Sequence, residues 1–289
     1  MQCTRRVEIG TITLGGASPF VLIAGPCVIE SYDATYRLAE QLCAMVRQRG
    51  VPLIFKASYD KANRTSVHSF RGPGLRQGLA VLRAIQKDFA IPVLSDVHCR
   101  EEVDLAAEVL DVLQIPALLC RQTDLVVAAA RTGKPVNLKK GQFLSPYDMR
   151  HVLEKAASTG NTNLLVTERG TMFGYGNIVV DMRSLVILRD FGYPVIFDAT
   201  HSVQLPGQQG AASGGERHFV SPLARAAIAV GIDGIFMEVH AAPDQALCDG
   251  PNSLNLNNVP ELLQELLYLA NCPCIMKNSQ EEHESSKRA

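Results

Sequence analysis

The sequence predicts an α/β chain closed into a (β/α)8 TIM barrel, and three observations predict it. Short β-branched apolar runs alternate with longer amphipathic stretches almost from end to end, and there are eight such pairs. Each run is predominantly apolar rather than strictly alternating, as suits a parallel strand covered on both faces. Each run also ends in, or is soon followed by, a polar or ionisable residue. A barrel gathers those ends on one face.

In chain order, VEIGTITLGG (7–16) predicts a short β-hairpin capping the bottom of the barrel. The first strand is FVLIAG (20–25), followed by a helix over 33–49. PLIFKA (52–57) and PVLSDV (92–97) are the second and third strands, with helices over 75–88 and 101–109. VLQI (112–115) and PVNLKK (135–140) follow, with helices over 122–131 and 146–159. NLLVTE (163–168), PVIFDAT (194–200) and GIFMEV (234–239) complete the set, with helices over 180–190, 219–230 and 259–270. Asp, Ser or Thr stands near the first turn of several helices, where a side-chain oxygen can accept from an unpaired amide. An open doubly wound sheet is the competing architecture, but FVLIAG is not followed by a glycine-rich dinucleotide turn. Two longer loops, 58–74 and 201–217, follow strands two and seven and belong to the C-terminal face. The expected organisation is a single catalytic domain over 1–276 and a polar, disordered tail over 277–289.

The 289 residues are 47% hydrophobic and 20% charged, with a formal net charge of -1. That balance supports one large core and argues against nucleic acid as a partner. The N-terminus lacks the apolar stretch of a secretory signal, and no run of about 20 apolar residues is present to span a membrane, so the expected location is cytoplasmic. The eight cysteines are scattered, which suggests reduced thiols, and the Cys272–Cys274 pair reads as a loop after the last helix.

The strand ends and the loops just after them supply Cys27; Lys56 with Lys61 and Arg64; Asp96; Gln114; Lys139 with Lys140; Arg169; His201; and Glu238. Taken singly, each basic residue could be a solvated loop residue. Converging on one mouth, they call for substrates with more than one anionic group, phosphate or carboxylate. The glycine-containing RGPGL (71–75) and AASGGER (211–217) are weak signals beside them. Cys27, His201, Glu238 and Asp249 form a second constellation, because the first, seventh and eighth strands become neighbours on closure. A thiolate, an imidazole and two carboxylates suit Zn, Fe, Mn or Co better than magnesium. His240, Asp198 and Asp244 are rival ligands, whereas His68, His98, His151, His218 and His283 suit supporting or surface roles.

The segment FKASYDKANRTSVHSFRGPGL (55–75) closely resembles the signature of the 3-deoxy-D-manno-octulosonate 8-phosphate synthase family. AGPCVIES (24–31), SDVH (95–98), LQIPALLCRQTDL (113–125), NLKKGQFLSP (137–146), FDATHS (197–202) and CDGPNSL (248–254) extend the resemblance over about residues 7 to 270. It implies a transferase that condenses phosphoenolpyruvate with D-arabinose 5-phosphate and water, releasing the eight-carbon ketosugar acid phosphate and inorganic phosphate for lipopolysaccharide assembly. It also implies that Lys56, Ser58, Lys61, Lys139 and Arg169 hold phosphoenolpyruvate, and that Asn63, Arg64 and Thr65 hold the aldose phosphate. Asp96 and Gln114 would neighbour the reacting carbons. The implied catalytic set is Lys56, Lys61, Asp96, Lys139, Cys27 and His201. Cys27, where metal-independent members carry Asn, marks the metal-dependent branch. A homotetramer is implied too, with Arg121 reaching towards a neighbour's site.

The alternative is the sister 3-deoxy-7-phosphoheptulonate synthase, which uses erythrose 4-phosphate. Its members typically carry K-P-R-T or K-P-R-S at strand two, so Ala62-Asn63 favours the longer product. A barrel that had lost catalysis and only bound phosphosugars would be expected to lack polar strand ends, and here they are all filled.

Overall fold

The computed structural model describes residues 3–16, 18–64, 66–209 and 212–272. Its elements run, in order, β1 (Val7–Ile9), β2 (Ile12–Leu14), β3 (Val21–Gly25), α1 (Tyr32–Arg47), β4 (Leu53–Lys56), α2 (Leu75–Phe89), β5 (Val93–Asp96), α3 (Arg100–Ala107), β6 (Val112–Ile115) and α4 (Thr123–Arg131). Then follow β7 (Val136–Lys139), α5 (Met149–Ala157), β8 (Leu164–Glu168), β9 (Thr171–Met172), β10 (Ile178–Val179), α6 (Arg183–Arg189) and β11 (Val195–Asp198). The chain continues through β12 (Gln204–Gln209), β13 (Ala212–Gly215), α7 (Val220–Val230), β14 (Gly234–His240), β15 (Leu254–Asn255) and α8 (Val259–Ala270).

Strands β3, β4, β5, β6, β7, β8, β11 and β14 pair in parallel, each with the next, and the β14–β3 ladder closes them into the expected barrel. All eight predicted strands and all eight predicted helices are present. Several helices are shorter than their apolar pattern. α6 begins at Arg183 because Asp181 accepts from the Arg183 amide at 3.0 Å, and α5 is preceded by turns through 145–148. α1 starts where Ser31 Oγ accepts from the Ala34 amide at 3.2 Å, with Asp33 in the first turn and Arg47 in the last to suit the helix dipole. The end of β3 packs tightly on β4. A Cβ on Gly25 would lie 2.0 Å from the Lys56 carbonyl oxygen, so only glycine fits there.

Side-chain alternation divides the core. Outward residues such as Leu22, Phe55, Leu113, Val166, Phe197 and Met237 pack under the helices in one continuous cluster. Inward residues Val21, Ile23, Ile54, Leu94, Val112, Leu165, Ile196 and Phe236 form a smaller cluster with Val7, Ile9, Ile12 and Leu14 of the hairpin. The hairpin thus plugs the barrel, as its sequence predicts, and it does so at the N-terminal mouth. The Arg5 amide donates to the Gly192 carbonyl at 2.9 Å, ahead of β11, and Thr4 Oγ1 donates to Asp233, ahead of β14, at 3.1 Å.

Segment 201–217 differs from its expectation as a loop. A 3-10 turn at His201–Val203 leads into the antiparallel ribbon β12–β13, which pairs Gln204 with Gly215 and Gln209 with Ala212. Glycine at 215 lets the ribbon lie against the 250–252 turn, since a Cβ there would meet Asn252 Cβ at 2.7 Å. Among the described residues no helix is long and apolar enough to cross a membrane. The expected tail over 277–289 lies outside the described residues, as do Cys274 and Thr65.

Candidate active site

Two residues beyond the inner apolar layer, the same strands turn polar. Ile54 gives way to Lys56, Leu94 to Asp96, Val112 to Gln114, Leu165 to Thr167, Ile196 to Asp198 and Phe236 to Glu238, all of them buried. With a repeat of two residues per strand face, both layers point into the barrel, the polar one towards the C-terminal mouth. Above it opens a cavity of about 390 Å³ lined by Lys56, Lys61, Asn63, Arg64, Asp96, Lys139, Arg169, His201 and Asp249 among others.

One side of the polar layer is a relay of side-chain hydrogen bonds. Thr167 Oγ1 donates to Asn137 Oδ1 at 2.8 Å, Asn137 Nδ2 to Gln114 Oε1 at 2.8 Å, and Gln114 Nε2 to Asp96 Oδ1 at 2.7 Å. Ser58 Oγ completes it on Asp96 Oδ2 at 2.7 Å. Burial would raise the Asp96 carboxyl, but the ammonium groups of Lys56, Lys61 and Lys139 outweigh it and hold the group well below the usual carboxylate range. Asn137 and Thr167 were missed in the sequence. Their signal was a single polar residue at an inward register of an otherwise apolar run.

The opposite side carries alternating charges. Lys139 Nζ lies 2.6 Å from Asp198 Oδ2, and Lys56 Nζ lies 3.2 Å from Glu238 Oε1 while donating to the Cys27 carbonyl at 2.9 Å. Lys61 Nζ is 3.9 Å from Glu238. Burial works against the Lys61 ammonium, yet Cys27 and Glu238 beside it leave it held well above its ordinary value. Burial also opposes the charge on Asp198, where His201 and Lys139 prevail and hold it well below the usual range. In Glu238 the neighbouring His201, Lys56 and Lys61 likewise overcome burial and bring the carboxyl down to about 2.

The expected donors Cys27, His201, Glu238 and Asp249 line up as consecutive neighbours. Cys27 Sγ is 3.4 Å from Asp249 Oδ2, which is 3.8 Å from His201 Nε2, which is 3.6 Å from Glu238 Oε1. The donors form two groups that share Asp249, one of Cys27, Cys248 and Asp249 and the other of His201, Glu238 and Asp249, with the atoms of each within 4.8 Å of one another; ligand bonds of roughly 2.0–2.3 Å to a common ion place donor atoms about 3–4 Å apart. Glu238 Oε2 is buried without a hydrogen-bond partner, and His201 Nδ1 lies 2.8 Å from Asp198 Oδ2, which turns Nε2 towards the other donors. Burial, then the neighbours Cys248 and Glu238, push the Cys27 thiol well up, so a cation is what would draw off its proton.

Cys248 is a donor missed in the sequence. With Cys27 and Asp249 it forms a second group whose atoms lie within 4.8 Å of one another, and Arg64 Nη1 donates to its sulfur at 2.7 Å. The rival ligands turn elsewhere. His240 Nδ1 accepts from the Ala242 amide at 3.0 Å and its Nε2 lies 3.5 Å from Glu30, outside the barrel mouth. Asp244 is exposed and bridges to Arg217 at 3.1 Å. Asp198 serves His201 and Lys139.

Two further expectations need correction. Lys140, grouped with Lys139 at the mouth, is fully buried behind the barrel wall, because consecutive strand residues face opposite sides. His98, read as a supporting or surface residue, lines the cavity, with Nδ1 3.3 Å from Glu102. Gln204, on the unexpected ribbon, accepts from Arg169 Nη2 at 2.8 Å and donates to Asp249 Oδ1 at 3.3 Å, so it joins the cationic and acidic halves.

A family profile described as DAHP synthetase I family matches residues 4–270. The chain belongs to the DAHP synthetase I family. Within that family it is similar to proteins named 2-dehydro-3-deoxyphosphooctonate aldolase. The one from Trichlorobacter lovleyi is 63% identical over 266 residues, 92% of this chain and 98% of the relative. Those from Geotalea uraniireducens and Geobacter metallireducens are 63% and 62% identical, each covering 91% of this chain and 96% and 97% of the relative. As a DAHP synthetase I family member matched along nearly its whole length, the chain is an enzyme, and the reading of a barrel without catalysis falls away.

Proposed function

We propose that the chain is a metal-dependent 3-deoxy-D-manno-octulosonate 8-phosphate synthase. It condenses phosphoenolpyruvate with D-arabinose 5-phosphate and water, and releases the octulosonate phosphate and inorganic phosphate. The observation that carries this reading is one cavity lined by Lys56, Lys61, Lys139 and Arg169 together with Asn63, Arg64, His201 and Asp249, the last belonging to both donor groups that bring in Cys27 and Glu238. The names of the relatives support the octulosonate reaction over the heptulosonate one, as do Ala62 and Asn63 in the strand-two segment.

Lys56, Ser58, Lys61, Lys139 and Arg169 hold the carboxylate and phosphate of phosphoenolpyruvate. Arg169 has Nε and Nη1 buried without partners, two donors ready for an anion. Asn63, Arg64 and Thr65 hold the aldose and its phosphate. Carbon three of the enol forms a bond to the aldehyde carbon, carbon two takes the oxygen of water, and phosphate leaves carbon two with its bridging oxygen. Lys and Arg stabilise the charge that collects on that phosphate. Asp96 and Gln114, fixed by the relay behind them, hold the reacting carbons in register. Cys27, His201, Glu238 and Asp249 would hold the divalent ion, Zn, Fe, Mn or Co, with Cys248 within reach of the same donors. When bound, the ion supplies Lewis acidity for water or for a carbonyl oxygen.

The proposed assembly is a homotetramer. Loops after β6, β7 and β8 expose Leu118, Phe143, Tyr147, Met172 and Phe173, the last at 75%, beside Arg121. An apolar surface of this kind suits burial against another copy. The soluble, multiply charged substrates fit a cytoplasmic enzyme. The decisive assay is phosphate release from phosphoenolpyruvate with arabinose 5-phosphate or erythrose 4-phosphate, before and after chelation. Arabinose 5-phosphate and loss on chelation are expected; preference for erythrose 4-phosphate overturns the substrate assignment.

A further inference from the structure

Lys140 is a fully buried ammonium that cannot reach the cavity. Its Nζ lies 3.0 Å from Thr171 Oγ1, 3.2 Å from the carbonyls of Leu144 and Gly170, 3.4 Å from that of Gly141, and 3.3 Å from Glu168 Oε1. These partners lie on the two turns that leave β7 and β8, so one charge ties both together. The same Glu168 oxygen accepts from the amides of Arg169 at 2.9 Å and Gly170 at 2.6 Å. It therefore sets the direction in which the chain leaves β8. The turn is tight: Gly170 has φ +89, and a Cβ there would meet Ile178 Cγ2 at 2.3 Å. On the opposite side of the wall, the Arg169 guanidinium points into the cavity with two donors unpartnered.

We propose that Lys140 and Glu168 are positioning residues that aim Arg169 from behind the barrel wall, a role that rests on the phosphoenolpyruvate reading above. Parity makes the arrangement: Lys139 and Thr167 face the substrate, so Lys140 and Glu168 face away from it. Removing the ammonium takes from the buried Glu168 carboxylate the cation 3.3 Å from its Oε1, and a buried carboxylate that loses its ion pair moves or takes a proton. Either response loosens its hold on the two amides that carry Arg169. A displacement of about 1 Å is enough to matter at a phosphate clamp.

The test is a cycle of Lys140→Met, Arg169→Ala and the double variant in the metal-loaded enzyme, read by steady-state kinetics and by calorimetric binding of phosphoenolpyruvate. Lys140→Met should raise KM and Kd for phosphoenolpyruvate between about tenfold and about a hundredfold. The KM for arabinose 5-phosphate should stay within about twofold. The double variant should bind phosphoenolpyruvate no more weakly than Arg169→Ala alone, because Lys140 acts only through Arg169. Losses that multiply, or a lowered Tm with unchanged phosphoenolpyruvate affinity, overturn the proposal. Should Lys140→Met fail to fold, Glu168→Gln keeps the side-chain size, and an unchanged KM for phosphoenolpyruvate in it overturns the proposal equally. If the parent enzyme binds no phosphoenolpyruvate, the reaction assigned above is wrong; the same cycle with inorganic phosphate as probe then decides the coupling.

Discussion

Cys27 has the most specific consequences of any single side chain here. Its sulfur is buried beside Cys248 and Asp249, and burial keeps it protonated unless a cation takes the proton's place. Cys27→Ala should therefore cost most of the bound metal and most of the activity while the fold survives, measured by elemental analysis beside circular dichroism. Full metal content in the variant would refute the ligand assignment. Cys27→Asn is expected to retain activity that no longer responds to chelators. A second residue with a clear outcome is Glu102. Burial opposes its charge, but hydrogen bonds from the side chain and amide of His98 and from Tyr59 OH prevail, taking it from 4.5 to about 2. A depressed carboxylate stabilises the fold fully above its unfolded value and loses that contribution as pH falls through its folded one. The contribution is on the order of 3 kcal/mol. Between pH 4.5 and 2 the parent protein should thus lose more stability than Glu102→Gln, in urea melts at a series of pH values; parallel curves would remove this account.

The hairpin β1–β2 is separable from the chemistry because it closes the mouth opposite the polar layer. Leu14 is fully buried in the inner cluster, and truncating a leucine in such a place costs about 2–5 kcal/mol. Leu14→Ala should lower the unfolding free energy by that order and leave kcat and both KM values near those of the parent; a kinetic defect would mean the plug reaches the site. The ribbon β12–β13 is the contrasting case. It carries Gln204 onto both Arg169 and Asp249, yet its strands QLPGQQ and ASGG show no apolar alternation. It is held by backbone pairing and by what lies under it, so no local pattern announces it.

The intact protein is expected to sediment as a tetramer. The loops after β6, β7 and β8 expose aromatic and apolar side chains that burial against another copy would cover. Analytical ultracentrifugation at micromolar concentration reads this directly, and a stable monomer would remove both the assembly and the role of Arg121 in a neighbour's site. Chelation should leave that mass unchanged, because all the candidate metal donors come from one chain.

Apolar runs of strand length at regular spacing were enough to fix eight βα units, since parallel strands buried on both faces leave no freedom in composition. Polar residues at the strand ends were enough to name Lys56, Asp96, Gln114, Lys139, His201 and Glu238, because a closed barrel gathers the C-terminal ends of its strands on one face. Spacing could not decide contacts between residues far apart in the chain. Cys248 beside Cys27, Gln204 between Arg169 and Asp249, and His98 at the cavity are products of how loops fold over the mouth. Lys140 lay between the two kinds of knowledge: its burial followed from strand parity, but its partners, the carbonyls of two turns and Glu168, came together only when β7 and β8 paired. Local propensity acts within a few residues, whereas a site is defined by distances of about 3 Å between atoms that only tertiary packing brings to the same place.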